Sequence, residues 1–288
     1  MLYLVATPIG NLLDISFRAI ETLKNCDYIA CEDTRHTLKL LNHYEIKKKL
    51  VSYHEHNKRE SGLRILEDLK NGKKVALVSD AGCPAISDPG NDLVKLMYEH
   101  NIPVSVIPGA NAGLSALMIS PFDTDRFCFD GFLPLKESHR KTYFQELKKE
   151  ERTTVLYEAP HKLKKTLKDL EKHLGQVRRI CLVKEITKIY ETVQLGTIKE
   201  ILDYFEDNNP KGEYVLLVEG YKEVEGDKTL KDIVRELSFD SEKKAVIASY
   251  EGYINKGLSN KDALRNTAIE LNLSRNKVYS YILEDKEE

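Results

Sequence analysis

Over the first 120 residues, a short apolar run, a polar or glycine-bearing loop and an amphipathic stretch follow one another repeatedly. The apolar runs fall at 2–6, 27–31, 50–53, 74–78 and 104–107, and helical patterns cover 16–24, the stretch ending near Tyr44, the stretch ending at Leu69, and 91 to about 100. Runs of four or five residues with a helix between each pair cannot form hairpins. They predict an α/β fold with a parallel sheet covered on both faces. Parallel strands point one way, so their carboxyl-end loops share an edge, and that edge is expected to gather Gly10, Asp33, His54, Asp80 and Gly109 around one cleft.

The loop after the fourth run is the most specialised. Ser79-Asp80-Ala81-Gly82-Cys83-Pro84-Ala85-Ile86-Ser87-Asp88-Pro89-Gly90 can continue neither strand nor helix, and it is longer than an ordinary strand-to-helix turn requires. Its small residues admit a ligand against the backbone, and its aspartates offer acceptors for hydroxyls or amines. It reads as a ligand loop whose last residues, 87–90, shape the turn and start the next helix. Cys83 has no base nearby in sequence and reads as a packed small residue. Pro108-Gly109-Ala110-Asn111-Ala112-Gly113 offers a second small-residue loop opening a helix. Thr7-Pro8-Ile9-Gly10-Asn11 lacks G-x-G-x-x-G, and no G-x-x-x-x-G-K-[ST] occurs, so dinucleotide and P-loop nucleotide chemistry lack their phosphate cradle. Glu32-Asp33-Thr34-Arg35 sets two acids and a base at a strand end, where Thr34 could also cap the next helix. His54-x-His56 has no third ligand nearby, which favours substrate contact or hydrogen bonding over metal.

A break at Ser120-Pro121-Phe122-Asp123 opens a second half, with strands expected at 126–129, 153–157, 180–184, 191–196 and 214–219 and helices at 138–149, 161–173 and 198–207. The strands at 180–184 and 191–196 leave no room for a helix between them, so this sheet is expected to be mixed. Three domains follow: 1–120, 121–224 and a helical extension over 225–288. Within the extension, 260–271 and 274–283 flank an Asn272-Leu273 break in the manner of a helix-turn-helix. Ser274 as N-cap would put Arg275 and Lys277 in the first turn. Between 256 and 280, five Lys/Arg face two acids. That balance fits either a nucleic-acid surface or a solvated helical face.

The formal net charge is −2, which gives no support to a generally basic nucleic-acid binder. Five scattered cysteines have neither zinc spacing nor a disulfide framework. No apolar run approaches a membrane span and no signal-peptide pattern opens the chain, so a cytoplasmic protein is expected.

Several stretches, taken together and in order, carry a resemblance. They are Ala6-Thr7-Pro8-Ile9-Gly10-Asn11-Leu12, Glu32-Asp33-Thr34-Arg35, His54-x-His56-Asn57, the 79–90 loop, Gly131-Phe132-Leu133-Pro134, Tyr157-Glu158-x-Pro160-His161, Glu185-x-Thr187-Lys188 and Gly212-Glu213. With them the chain resembles the tetrapyrrole-methylase superfamily of S-adenosylmethionine-dependent methyltransferases, in its branch that methylates the ribose 2′-hydroxyl of a cytidine in 16S ribosomal RNA. The resemblance implies two α/β domains with S-adenosylmethionine in the cleft between them, a homodimer, and 16S rRNA in the 30S subunit as substrate. It implies that Asp80, Ala81, Gly82, Ala110, Asn111 and Ala112 line the cofactor, and that Tyr157, Glu158, Lys184 and Tyr214 close it from the second domain. Asn11, Arg35, Asn57 and Lys188 would meet RNA, joined by Arg275 and Lys277 of the extension. Asp33, His54 and Glu185 are the candidate bases, and no metal is implied. Cys83 stands where the family usually has Thr, Lys58 where an acid is usual, and Lys162 and Lys184 where Arg is usual. Lysine cannot reproduce the bidentate fork of arginine. The competing expectations are methylation of a tetrapyrrole or other small molecule, and a DNA-binding regulator acting through the C-terminal helices.

Overall fold

The computed structural model describes residues 1–222, 230–271 and 273–287, with backbone alone over 230–241 and 284–287. The chain divides into two compact units, Met1–Lys222 and Glu223–Glu288. The boundary expected at 224/225 lies outside the described residues.

The first sheet alternates strands and helices: β1 (Leu2–Val5), α1 (Phe17–Asn25), β2 (Tyr28–Cys31), α2 (Thr34–His43), β3 (Lys49–Ser52), α3 (Lys58–Lys70), β4 (Val75–Val78), α4 (Asn91–Glu99), β5 (Val104–Ile107) and α5 (Ala112–Met118). The strand order is β3-β2-β4-β1-β5, and every neighbouring pair is parallel. Side chains alternate across the pleat, and here both alternations are apolar. Leu2, Tyr28, Ala30, Val75 and Leu77 pack under α3 and α4. Val5, Ile29, Cys31, Ala76 and Val78 pack under α1 and α2. Each buried Val, Leu or Ile among these contributes about 1.5–3 kcal/mol, in keeping with β4 as an unbroken apolar run. Ser16 caps α1, its Oγ accepting the Ala19 N–H at 3.1 Å. At α2 the cap is Asp33, not Thr34: its carboxylate accepts the Arg35 N–H at 2.8 Å and Thr34 is the first helical residue.

The fifth helix does not cover the parallel sheet. α5 buries Gly113, Ala116 and Leu117 against the second sheet instead, because its small apolar face fits the pleat of the strands there. That sheet contains β6 (Phe127–Phe132), β7 (Thr153–Glu158), β8 (Arg179–Lys184), β9 (Thr192–Thr197) and β10 (Tyr214–Val218), with α6 (Glu137–Leu147), α7 (Pro160–Leu174) and α8 (Ile198–Asp207). Its order is β6-β7-β10-β8-β9; β6–β7 is parallel and the other pairs antiparallel, including the expected β8–β9 hairpin. The sheet is therefore mixed. α6, α7 and α8 cover one face over Leu156, Leu182 and Leu216. α5 covers the other over Val155, Cys181, Val215 and Leu217. Pro160 opens α7, and a Thr197–Glu200 capping box opens α8.

The second unit contains α9 (Leu230–Asn255), α10 (Asn260–Glu270) and α11 (Arg275–Glu287), packed around Val246, Tyr250, Ala263, Val278, Tyr281 and Ile282. Ser274 Oγ accepts the Lys277 N–H at 3.3 Å, as an N-cap does. Asn272 of the expected break lies outside the described residues. Among the described residues no helix is long and apolar enough to cross a membrane.

Candidate functional site

β1 and β4 lie side by side at the centre of the parallel sheet, and the loops leaving them are zipped together. Thr7 donates its N–H to the Gly82 carbonyl at 2.9 Å, and Gly82 donates back to Thr7 at 3.1 Å. The Thr7 hydroxyl adds a bond to the Ser79 carbonyl at 3.3 Å. From the next strand, the Asp33 N–H donates to Asp80 Oδ1 at 3.1 Å. The start of the 79–90 loop is thus fixed by main-chain bonds on two sides, and Gly82 supplies a φ of 80° that a residue with a Cβ resists.

The second sheet supplies the opposite wall. Its antiparallel register sets Tyr214 opposite Glu158 on one side and opposite Lys184 on the other. Between the walls lies a cleft of about 540 Å³. One side is Ile9, Asp80, Ala81, Gly82, Cys83, Asn111 and Ala112; the other is Tyr157, Glu158, Ala159, Val183, Ile186, Tyr214 and Val215. Glu32, Ile86, Ser87, Asp88, Phe132, Pro160, His161, Lys188 and Glu213 complete the lining. The Tyr157 hydroxyl accepts the Gly113 N–H at 3.1 Å, joining the second sheet to α5, and burial raises its pKa. Tyr214 accepts the Lys211 N–H at 3.2 Å.

At one rim the two halves touch. Lys188 Nζ bridges Glu185 at 3.0 Å and Glu213 at 2.8 Å. A Cβ on Gly10 would lie 2.5 Å from Lys188 Cγ and 2.9 Å from Thr187 Oγ1, so only glycine permits this approach. Glu185 and Thr187 hold φ values of 52° and 68°, an unfavourable region for a β-branched residue. Strain of this kind collects at functional sites.

The carboxylates fall into two groups. Asp33 grips the Arg35 guanidinium at 2.7 and 3.1 Å, and that arginine holds it well below the ordinary carboxylate range. Burial alone would push Glu185 up, but the Glu213 N–H and the Lys188 ammonium more than reverse this and lower it. Glu32 and Asp88 go the other way. Burial, and then the Asp80 carboxylate, raise Glu32. Burial, and then Glu32, push Asp88 up to about 6 against an opposing Ser79 hydrogen bond.

Eight of the ten residues expected at the cofactor line the cleft: Asp80, Ala81, Gly82, Asn111, Ala112, Tyr157, Glu158 and Tyr214. Asn111 also caps α5, accepting the Leu114 N–H at 2.9 Å. Ala110 stands just behind, its carbonyl taking the Cys83 thiol at 3.6 Å, and Lys184 stands outside the lining. The expected bases Asp33, His54 and Glu185 lie off the lining. The His54 charge partly offsets the upward shift of Glu32, and among the described residues the buried Nδ1 of His54 has no hydrogen-bond partner. Asn57 accepts the His54 N–H at 2.8 Å and donates to Ser52 at 3.1 Å, which binds the loop to itself. Asn11 caps the short turn Leu12–Asp14, and Arg35 is exposed apart from its contact with Asp33. Lys188 is on the rim. In the second unit, Lys277 pairs with Glu242 at 2.5 Å, while Arg275 sits in the first turn of α11. Sequence reasoning missed Glu32 and Asp88 as cleft residues. Glu32 precedes Asp33 on the strand end, and only the pleat decides which of the two turns inward.

The sequence that builds this fold and cleft is that of a methylase. The chain belongs to the family of tetrapyrrole (corrin/porphyrin) methylases, whose sequence model matches residues 1–202. Its relatives include the ribosomal RNA small subunit methyltransferase I of Synechocystis sp., 45% identical over 288 residues, spanning 99% of this chain and 98% of that protein. The protein of the same name from Bacillus subtilis is 45% identical over 279 residues, spanning 97% of this chain and 92% of that one. The fold also matches solved structures. Diphthine synthase superposes with a TM-score of 0.59 at 14% identity, covering 76% of this chain and 89% of that one. A cobalt precorrin-4 methyltransferase gives 0.56 at 18% identity, covering 76% and 94%.

Proposed function

We propose that this protein transfers a methyl group from S-adenosylmethionine to the ribose 2′-hydroxyl of a cytidine in 16S ribosomal RNA, acting as a homodimer on the 30S subunit. The observation that carries this reading is the near full-length identity with relatives named small-subunit ribosomal RNA methyltransferases. The cleft suits the cofactor. The backbone of Ala81, Gly82 and Ala112 admits close approach, Asp80 and Glu158 offer acceptors to hydroxyls or an ammonium, and Ile9, Val183, Ile186 and Val215 give an apolar wall. Such a wall is compatible with a sulfonium whose positive charge vanishes on reaction.

When bound, S-adenosylmethionine supplies an electrophilic methyl group. The protein's task is to hold the ribose oxygen in line at roughly 3–3.5 Å and to take its proton. Asp33 and Glu185 are weak acceptors, because the Arg35 guanidinium beside the one, and the Glu213 N–H with the Lys188 ammonium beside the other, stabilise the ionised form. Glu32 and Asp88 titrate nearer neutrality inside the cleft, and they join His54 as acceptors of that proton. Exposed Arg35 and rim Lys188 are read as phosphate contacts, with Asn11 and Asn57 shaping the loops beside them; such contacts orient RNA without reading its bases. The exposed apolar side chains Val106, Leu114 and Met118 along β5 and α5 support a self-association face.

The test is transfer of labelled methyl from S-adenosylmethionine to 30S subunits isolated from a strain lacking this protein. Alkali-resistant label at one cytidine of 16S rRNA is expected; unlabelled rRNA would refute the reading. The helical extension, with Arg275 and Lys277, is read as an RNA-engaging module. Deleting 226–288 is expected to lower activity on 30S subunits at least tenfold while leaving calorimetric cofactor affinity unchanged.

A further inference from the structure

Glu158 ends β7 in the cleft wall, yet it is 5% exposed and makes no ion pair among the described residues. Two groups hold its carboxylate. Oε1 accepts the adjacent Ala159 N–H at 2.9 Å, and Oε2 accepts the Thr166 hydroxyl at 2.5 Å. Thr166, on α7, is fully buried. Its oxygen also accepts Arg140 Nη2 at 2.8 Å, and Arg140 Nε is fixed by Asp169 at 2.7 Å. The guanidinium lies 5.3 Å from the centre of the Phe144 ring, which limits its freedom to rotate away.

The direction of this chain is forced. Arginine can only donate, so Thr166 must accept from Arg140. The single hydroxyl proton of Thr166 is then left for Glu158. Arg140, which is not among the cleft-lining residues, thus acts on Glu158 through one hydroxyl. Each carboxylate oxygen has one partner and so keeps a lone pair for a further donor, and Glu158 lines the cleft.

We infer that Arg140 and Thr166 are positioning residues that aim the Glu158 carboxylate at a hydrogen-bond donor of the bound cofactor. This rests on the reading of the cleft as the S-adenosylmethionine site. It gives α6, which contributes no lining residue, and a buried position of α7 well beyond its cleft-lining first turn, a role in ligand binding.

A double-mutant cycle on the full chain tests it, with calorimetric Kd for S-adenosylmethionine as the readout. Thr166→Val is expected to raise Kd about tenfold, the size of one charged hydrogen bond. Thr166→Ser should restore it. Glu158→Gln should raise Kd at least as much, and adding Thr166→Val to Glu158→Gln should change it less than twofold. A purely structural Thr166 would lower Tm in both backgrounds and shift Kd additively or not at all; either result overturns the inference. If Thr166→Val does not fold, Arg140→Gln replaces it in the same cycle with the same expectations. Failure of the wild-type chain to bind S-adenosylmethionine would instead overturn the cofactor reading.

Discussion

The two walls of the cleft are built by different means. The wall from the parallel sheet is largely main chain: Thr7 and Gly82 exchange N–H and carbonyl, and the residues lining it are mostly small. The wall from the mixed sheet presents longer side chains, and buried partners hold Tyr157 and Glu158. A main-chain wall tolerates loss of a functional group but not added bulk. A side-chain wall tolerates small changes of volume but not loss of a donor or acceptor.

The sharpest way to break this contrast is to add bulk to the first wall. Gly82→Val would place a β-branched residue at a φ of 80°, with its Cβ 3.2 Å from Ile9. It should cost about 2–4 kcal/mol of stability, read by denaturant unfolding, and abolish measurable cofactor binding. On the second wall, Glu158→Gln keeps the shape and should raise the cofactor Kd about 10- to 100-fold by calorimetry. Asp88 gives an intermediate, pH-dependent case. In the folded protein it ionises at about 6 against an ordinary 3.8. The native state therefore holds the extra proton between those values, and stability falls as pH rises from about 4 to 6. Asp88→Asn should stabilise the protein by about 1–2 kcal/mol above pH 7, after allowance for solvent screening, and the gain should fade below pH 4. Thermal unfolding at the two pH values checks the sign. The smallest effect is expected from Thr7→Val, which leaves both main-chain bonds to Gly82 in place. It should cost under about 1 kcal/mol and shift Kd less than threefold. If Thr7→Val cost as much affinity as Glu158→Gln, the division between the walls would be wrong.

The parts legible in sequence follow the same division. A parallel strand buried on both faces writes itself as an apolar run, and a loop that must admit a ligand writes itself in glycine, alanine and proline. The strands and Asp80-Ala81-Gly82 could therefore be located directly. Tyr157, Glu158 and Tyr214 were reachable only as polar ends of strands. The partners that hold Glu158 were not legible at all. Arg140, Thr166 and Asp169 fall within amphipathic helices, where an arginine, a threonine and an aspartate read as solvated surface. Only the packing of α6 and α7 on β7 brings them together. Asp33 also carries a structural duty that its residue type at a strand end does not spell out. It looks like chemistry at a strand end, and in the fold it starts a helix and holds an arginine.

α5 carries one more consequence. It follows the last strand of the parallel sheet, yet Ala116 and Leu117 fill the underside of the mixed sheet, over Val155, Cys181, Val215 and Leu217. A cut in the chain between Ser120 and Asp123 would leave the first fragment with a bare apolar helix and the second with a sheet open on one face. Neither piece should persist alone, but produced together they should reassemble around that helix. The cleft would then return as a property of the pair, and that segment would be a natural place to split this enzyme into a two-part reporter of its own assembly.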